Sequence, residues 1–230
     1  MCDVHGYIQF MTTLTEMAQG ALKPLTFPIW ERELLCARNP PRVTYPHREF
    51  DEVPVTDDMI IPLDDMVPTY LKRCTTFDVV TACIWRCRTI TLHPNPEDDM
   101  RLLIIVNARS KFKTPLPVGY YGNVICSPAA VSKARGLCNK PLGHALELVR
   151  KAKSEVSEEY VRSIADLMAI RGRPTWAFGR YIVSDLTRTR LLELDFGWGK
   201  AAYAGPDNPR AGFYTRYINH KGESIIVVPV

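Results

Sequence analysis

The chain has 230 residues, 46% of them hydrophobic and 23% charged, and its 29 Lys and Arg against 25 Asp and Glu leave a formal net charge of +4. That length and balance suit a folded protein with one large or two small cores, and exclude a disordered or fibrous chain. The cations are spread along the chain without a basic stripe or an RNA-binding aromatic motif, so a nucleic-acid partner is not expected. Seven cysteines at irregular spacing, with no charged-then-apolar leader at the start, point to a reducing cytosol.

Tyr7, Phe10, Met11, Leu14 and Met17 recur at helical spacing, and Gly20 follows at a natural stop, so the chain opens with an amphipathic helix directly after Asp3. Between Asn39 and Pro68 six prolines with acids among them interrupt any regular element, as a long crossover over the surface would. Thr75-Thr76-Phe77-Asp78 supplies hydroxyl caps and an early acid ahead of Phe77, Val80, Ile84 and Cys87, which starts a second helix. Cys83 and Cys87 share a face of it. No histidine or second cysteine pair lies at ligand spacing nearby, so they read as buried thiols and no metal site is expected.

Leu102 to Val106 is a short apolar block bounded by polar residues, a buried strand far too short to span a bilayer, and no membrane partner is expected. Pro115, Pro117, Gly119 and Gly122 make a loop. Pro141 opens a helix carrying Leu142, Ala145, Leu146 and Val149, and another follows with Val156, Tyr160, Ile164, Leu167 and Met168 before Gly172. The last third alternates short apolar blocks with turns: 181–183, 201–204, 212–218 and 225–228. Helices in the middle and strands at the end predict a mixed α/β fold.

Asp195-Phe196-Gly197-Trp198-Gly199-Lys200 reads as a tight turn, because two glycines bracket a large aromatic with an acid before and a cation behind. In order before it come Leu34-Leu35-Cys36-Ala37-Arg38-Asn39-Pro40-Pro41-Arg42, Thr75-Thr76-Phe77-Asp78 through Trp85-Arg86-Cys87, Val106-Asn107-Ala108-Arg109, and Gly119-Tyr120-Tyr121-Gly122-Asn123. Together these pieces resemble the C-terminal half of the plant acyl-CoA-dependent acyltransferases called the BAHD family, in the alcohol-acyltransferase branch with benzyl alcohol O-benzoyltransferase-like members. The resemblance implies the C-terminal half of a two-domain, chloramphenicol-acetyltransferase-like α/β fold, a mixed sheet with flanking helices. Residues 1–38 would be the end of the first domain, 39–70 the crossover and 71–230 the second domain.

The family's other signature is His-x-x-x-Asp, and Asp3 resembles its last residue. The family histidine is a general base that takes the proton of an alcohol attacking the thioester of acyl-CoA, a task suited to an imidazole. Asp3 would support it structurally. Since no histidine stands four positions before Asp3 in these residues, the expectation is acyl-CoA:alcohol ester formation that is absent or impaired here, with acyl-CoA as co-substrate, a small alcohol as acceptor and no bound cofactor. The alternative is a non-catalytic CoA-binding or interaction fragment. His5 is a poor substitute base, because its side chain leaves the chain at another angle. His47, His93, His144 and His220 read as solvated.

The resemblance also makes Asp195, Phe196, Gly197, Trp198 and Gly199 structural, with Asp195 gripping an arginine. Arg109 is the candidate partner, and Trp198 a packing residue. Thr75 and Thr76 would present backbone N–H groups and hydroxyls to CoA, or else simply cap their helix. Ser184 aligns with a hydroxyl thought to touch the tetrahedral oxyanion.

Overall fold

The computed structural model describes residues 2–51, 74–172, 180–201, 203–205 and 211–228. Helix α1 (Val4–Ala18) is followed by α2 (Thr76–Leu92), β1 (Asp99–Ile104), β2 (Val106–Asn107), β3 (Ile125–Cys126) and β4 (Ala129–Lys133). Then come α3 (Ala134–Asn139), α4 (Leu142–Glu155), α5 (Glu158–Arg171), β5 (Arg180–Asp185), β6 (Gly212–Ile218) and β7 (Ser224–Val227). Five strands form one sheet in the order β4-β1-β5-β6-β7, and β2 pairs with β3 alone. The inner pairs β1/β5 and β5/β6 are parallel, whereas the outer pairs β1/β4 and β6/β7 are antiparallel. This is the mixed α/β sheet with flanking helices that the sequence predicts.

The local signals act as the physical chemistry requires. Thr75 caps α2: its hydroxyl accepts from Asp78 N–H at 3.2 Å while the Asp78 carboxylate accepts from Thr75 N–H at 3.1 Å, satisfying two N-terminal donors at once. Ser157 caps α5 by a single bond, its hydroxyl accepting from Tyr160 N–H. Leu102, Leu103 and Ile104 of β1 are all fully buried, as befits a strand covered on both faces, and each contributes about 2 kcal/mol of apolar burial. Trp85 and Ala82 of α2, Leu146 and Val149 of α4, and Leu102, Ile104 and Val183 of the sheet form one core. A second cluster joins Tyr120, Val124 and Cys126 to Val156 and Tyr160.

Several expectations need correction. The apolar block at Leu102–Val106 is not one strand: at Ile105 the chain leaves β1, and Val106 pairs instead with Cys126 of β3. Strand β4 and helix α3 carried too few large apolar residues to be read, yet Ala130 and Leu137 are buried. Residues 201, 203 and 204 are not in a strand. Cys83 is exposed rather than buried. Helix α1 has the predicted period, but Tyr7, Phe10, Leu14 and Met17 are 37–52% exposed, so the described residues cover that stripe only in part.

The described part of the crossover is a tightly bonded strap. Asp166, fully buried on α5, accepts from Arg38 N–H at 2.7 Å, Arg38 Nε at 2.6 Å and Arg42 N–H at 3.0 Å. Ser163 Oγ one turn before accepts from the N–H groups of Thr44 and Tyr45 at 2.8 and 3.2 Å. His47, expected in solvent, is 2% exposed: Nε2 lies 2.7 Å from Ser163 Oγ and Nδ1 3.0 Å from Glu49, which also accepts from Tyr160 OH at 2.6 Å. Residues 52–70 of the expected crossover lie outside the described residues.

Candidate active site

Asp3 is the N-cap of α1 and is 6% exposed. Four donors meet its carboxylate. Oδ1 accepts from Gly6 N–H at 3.1 Å and Arg109 Nη2 at 3.1 Å, and Oδ2 accepts from Arg109 Nη1 at 2.6 Å and Val124 N–H at 2.9 Å. Burial alone would raise the pKa of this group, but the guanidinium and the two backbone N–H groups outweigh it and hold the carboxyl below its ordinary range. Each oxygen already has two donors, so Asp3 is an anchor rather than a proton acceptor. Arg109 therefore pairs with Asp3, not with Asp195 as the sequence suggested. It sits just past β2, on the turn facing the start of α1, and also donates to Gly122 C=O at 3.1 Å.

Asn107 joins this anchor to His5. Its Oδ1 accepts from Arg109 N–H at 3.0 Å, and its Nδ2 lies 3.4 Å from His5 Nδ1. His5, on the first turn of α1, lines an open cleft of about 410 Å³ with Gln9, Thr12, Arg109, Leu116 and Tyr120. Desolvation, and then the positive charge of Arg109, lower its pKa, and Asp3 only partly opposes them. Asn107 and the main-chain groups of Gly122 and Val124 escaped sequence reasoning. The side-chain amide two residues before Arg109 was the available signal for the first, and nothing local marks the other two.

The Asp195 hexapeptide is the tight turn expected. Gly197 and Gly199 have φ of 99° and 111°, where a side chain is strained, and Asp195 Oδ1 accepts both their N–H groups at 2.7 and 3.0 Å. Those two bonds stabilise the carboxylate and hold the pKa of Asp195 below its ordinary range. With its donors supplied by its own turn, Asp195 needs no arginine. Trp198 is 92% exposed and stacks only on Phe196, so it is not a core residue. The turn is nevertheless tied to α1, because Gln19 Nε2 donates to Asp195 C=O at 2.7 Å. Between them lies a second cleft of about 500 Å³, walled by Tyr7, Met11, Leu186, Leu194, Phe196 and Phe213.

The remaining expected residues stand apart from the anchor. Thr75 is engaged in the capping box, and its partner Asp78 also takes Lys153 at 2.6 Å, so a carboxylate already occupies that helix start; Thr76 is exposed. Ser184 is buried in β5, opposite Phe213 of β6, and lines neither cleft. Among the described residues no group of three or more His, Cys, Asp or Glu is arranged to hold a metal ion, and no helix is long and apolar enough to cross a membrane.

Comparison with known proteins agrees with this layout. The Transferase family profile matches residues 1–70 and 63–224. Benzyl alcohol O-benzoyltransferase of Petunia hybrida is 52% identical and the Nicotiana tabacum enzyme of that name 50%, each over 100% of this chain and 56% of its own length. Alcohol acyl transferase 1 allele GSd of Malus domestica is 44% identical over 99% of this chain and 55% of its own. The chain thus spans about half the length of the curated relatives it matches. Among solved structures, vinorine synthase superposes with a TM-score of 0.61 at 16% identity, covering 99% of this chain and 55% of that one. TRI101 of F. graminearum, complexed with coenzyme A and T-2 mycotoxin, gives 0.63 at 15%, covering 97% and 58%; at such identity both speak to the fold alone. Order of motifs, sheet topology and family profile converge: the chain belongs to the Transferase family of BAHD acyltransferases.

Proposed function

We propose that this chain forms the C-terminal half of an enzyme that moves an acyl group from acyl-CoA to the hydroxyl of a small alcohol. The alcohol oxygen attacks the thioester carbon, the carbon–sulfur bond breaks, and ester and CoA thiol leave, the alcohol's proton passing to the base and then to the thiolate. The observation that carries the reading is the four-donor anchor on Asp3, which fixes the segment where the family places its base four positions earlier. The clefts on the two sides of α1, about 410 and 500 Å³, have the size of small-ligand sites, and the names of the relatives supply the substrate class. In this reading residues 71–230 are the CoA-facing domain, 1–38 continue the other domain, Ser184 steadies the oxyanion, and the start of α2 at Thr75 and Thr76 lies toward the CoA phosphates. Seven free thiols support a cytosolic setting.

These 230 residues hold the anchor without an imidazole four positions ahead of it. Assayed as they stand with benzoyl-CoA and benzyl alcohol, they are expected to release ester and thiol about 10²–10⁴ times more slowly than a chain supplying that base. Free CoA is expected to raise the melting temperature. CoA stabilisation with no turnover at all selects the non-catalytic CoA-binding alternative. Neither effect sinks both.

A further inference from the structure

We infer that His5 is a hydrogen-bond donor to the substrate rather than a proton acceptor: Nε2, the ring nitrogen left without a protein partner, carries the proton and is offered to an uncharged acceptor oxygen in the cleft that His5 lines. The inference deepens the acyl-transfer reading and rests on it.

The argument starts at Asn107, whose orientation is fixed by its neighbours. Two Arg109 donors approach one end of the amide, the backbone N–H at 3.0 Å and Nη1 at 3.5 Å, so that end is the carbonyl oxygen. Turning the amide over would set its NH2 against the Arg109 N–H, donor against donor. The NH2 end therefore faces His5, and at 3.4 Å it donates to Nδ1. An Nδ1 that accepts has no proton, so in the neutral ring the proton is on Nε2. Desolvation and the charge of Arg109 both favour the neutral ring. Among the described residues Nε2 takes no hydrogen bond.

The surroundings set the ligand chemistry. Ile8, Pro115, Leu116, Pro117 and Val118 make much of the cleft wall apolar. Arg109 also reaches this wall, but its guanidinium is committed to Asp3 and Gly122. A neutral donor on such a wall selects a carbonyl or hydroxyl oxygen over a charged group. The alcohol's hydroxyl and the thioester's carbonyl share that chemistry. A ring whose outward nitrogen is already protonated cannot take the alcohol's proton, which separates His5 from the general base.

The test is a long-range 1H–15N spectrum of the chain with 15N-labelled histidine, with His5→Gln used for assignment. The free chain is expected to show the Nε2–H form of His5, and Asn107→Asp to reverse it, because a carboxylate facing Nδ1 requires a proton there. Benzyl alcohol and S-benzoyl pantetheine, titrated separately, distinguish the two oxygen sources: the one bound shifts the Nε2 resonance, and His5→Phe weakens it about two- to tenfold, the worth of one net hydrogen bond. An Nδ1–H ring in the free chain overturns the inference. So does CoA stabilisation with His5 unmoved by either probe, which leaves the acyl-transfer reading standing. Absence of any CoA or probe effect removes that reading and the inference with it.

Discussion

At the scale of single residues, the Asp3–Arg109 pair fixes the geometry of the site. Removing one partner of a buried pair leaves the other charge uncompensated, so Arg109→Ala is expected to cost about 3–5 kcal/mol in urea unfolding. Arg109→Lys is expected to recover little of it, since one ammonium cannot reach both carboxylate oxygens and the Gly122 carbonyl. The pH dependence follows from the lowered pKa of Asp3. The carboxyl binds protons more weakly folded than unfolded, so its contribution is fully present above the unfolded value near pH ~3.9 and is lost as the pH falls through the folded one. A pH series of unfolding midpoints checks this, and Asp3→Asn is expected to flatten it at the acid end. Trp198→Ala, by contrast, is expected to move the midpoint by less than about 0.5 kcal/mol, since a side chain 92% exposed has little packing to lose. The motifs at Asp3, Arg109 and Asp195 were all legible in the sequence, but their pairing was not. Which acid an arginine finds depends on where β2 delivers it, and Asp195 is satisfied by the N–H groups of its own turn.

At the scale of elements, α2 was the most legible, announced by Thr75 and Asp78, whereas the Ser157 cap went unread and Val156, expected in α5, ends α4 instead. The strap was misread because proline-rich composition says only that the segment is irregular, whereas its attachment depends on Ser163 and Asp166, more than a hundred residues later. Ser163 accepts two backbone N–H groups of the strap and bonds the buried His47, so Ser163→Ala removes all three bonds and leaves the His47 ring nitrogen unpaired in the interior. The expected cost is about 1–3 kcal/mol, for the one buried polar group left unpaired. Hydrogen exchange at Thr44 and Tyr45 is expected to speed up well beyond exchange at the amides of β1, which tells local release of the strap from global unfolding.

At the scale of the whole molecule, the mixed sheet followed from the pattern of helices and strands, yet its order did not, since β4 is built of Ala, Val and Ser and lacks a strong strand signature. The uncovered surface was not legible either, because a helical period reveals an apolar face without revealing what meets it. Tyr7, Phe10 and Met17 on α1, with Leu22, Leu25, Phe27 and Trp30 beyond it, leave large apolar side chains in solvent. A surface of that kind drives association. Sedimentation velocity is expected to show the chain self-associating as its concentration rises, and Phe10→Ser with Met17→Ser to reduce that without lowering the unfolding midpoint.

Helix α1 has its first turn held by Asp3 against Arg109 and its far end bonded through Gln19 to the Asp195 carbonyl. Fifteen residues of helix make a rod about 22 Å long. Bonded at both ends, the rod sets the spacing between the anchor beside one cleft and the glycine turn beside the other.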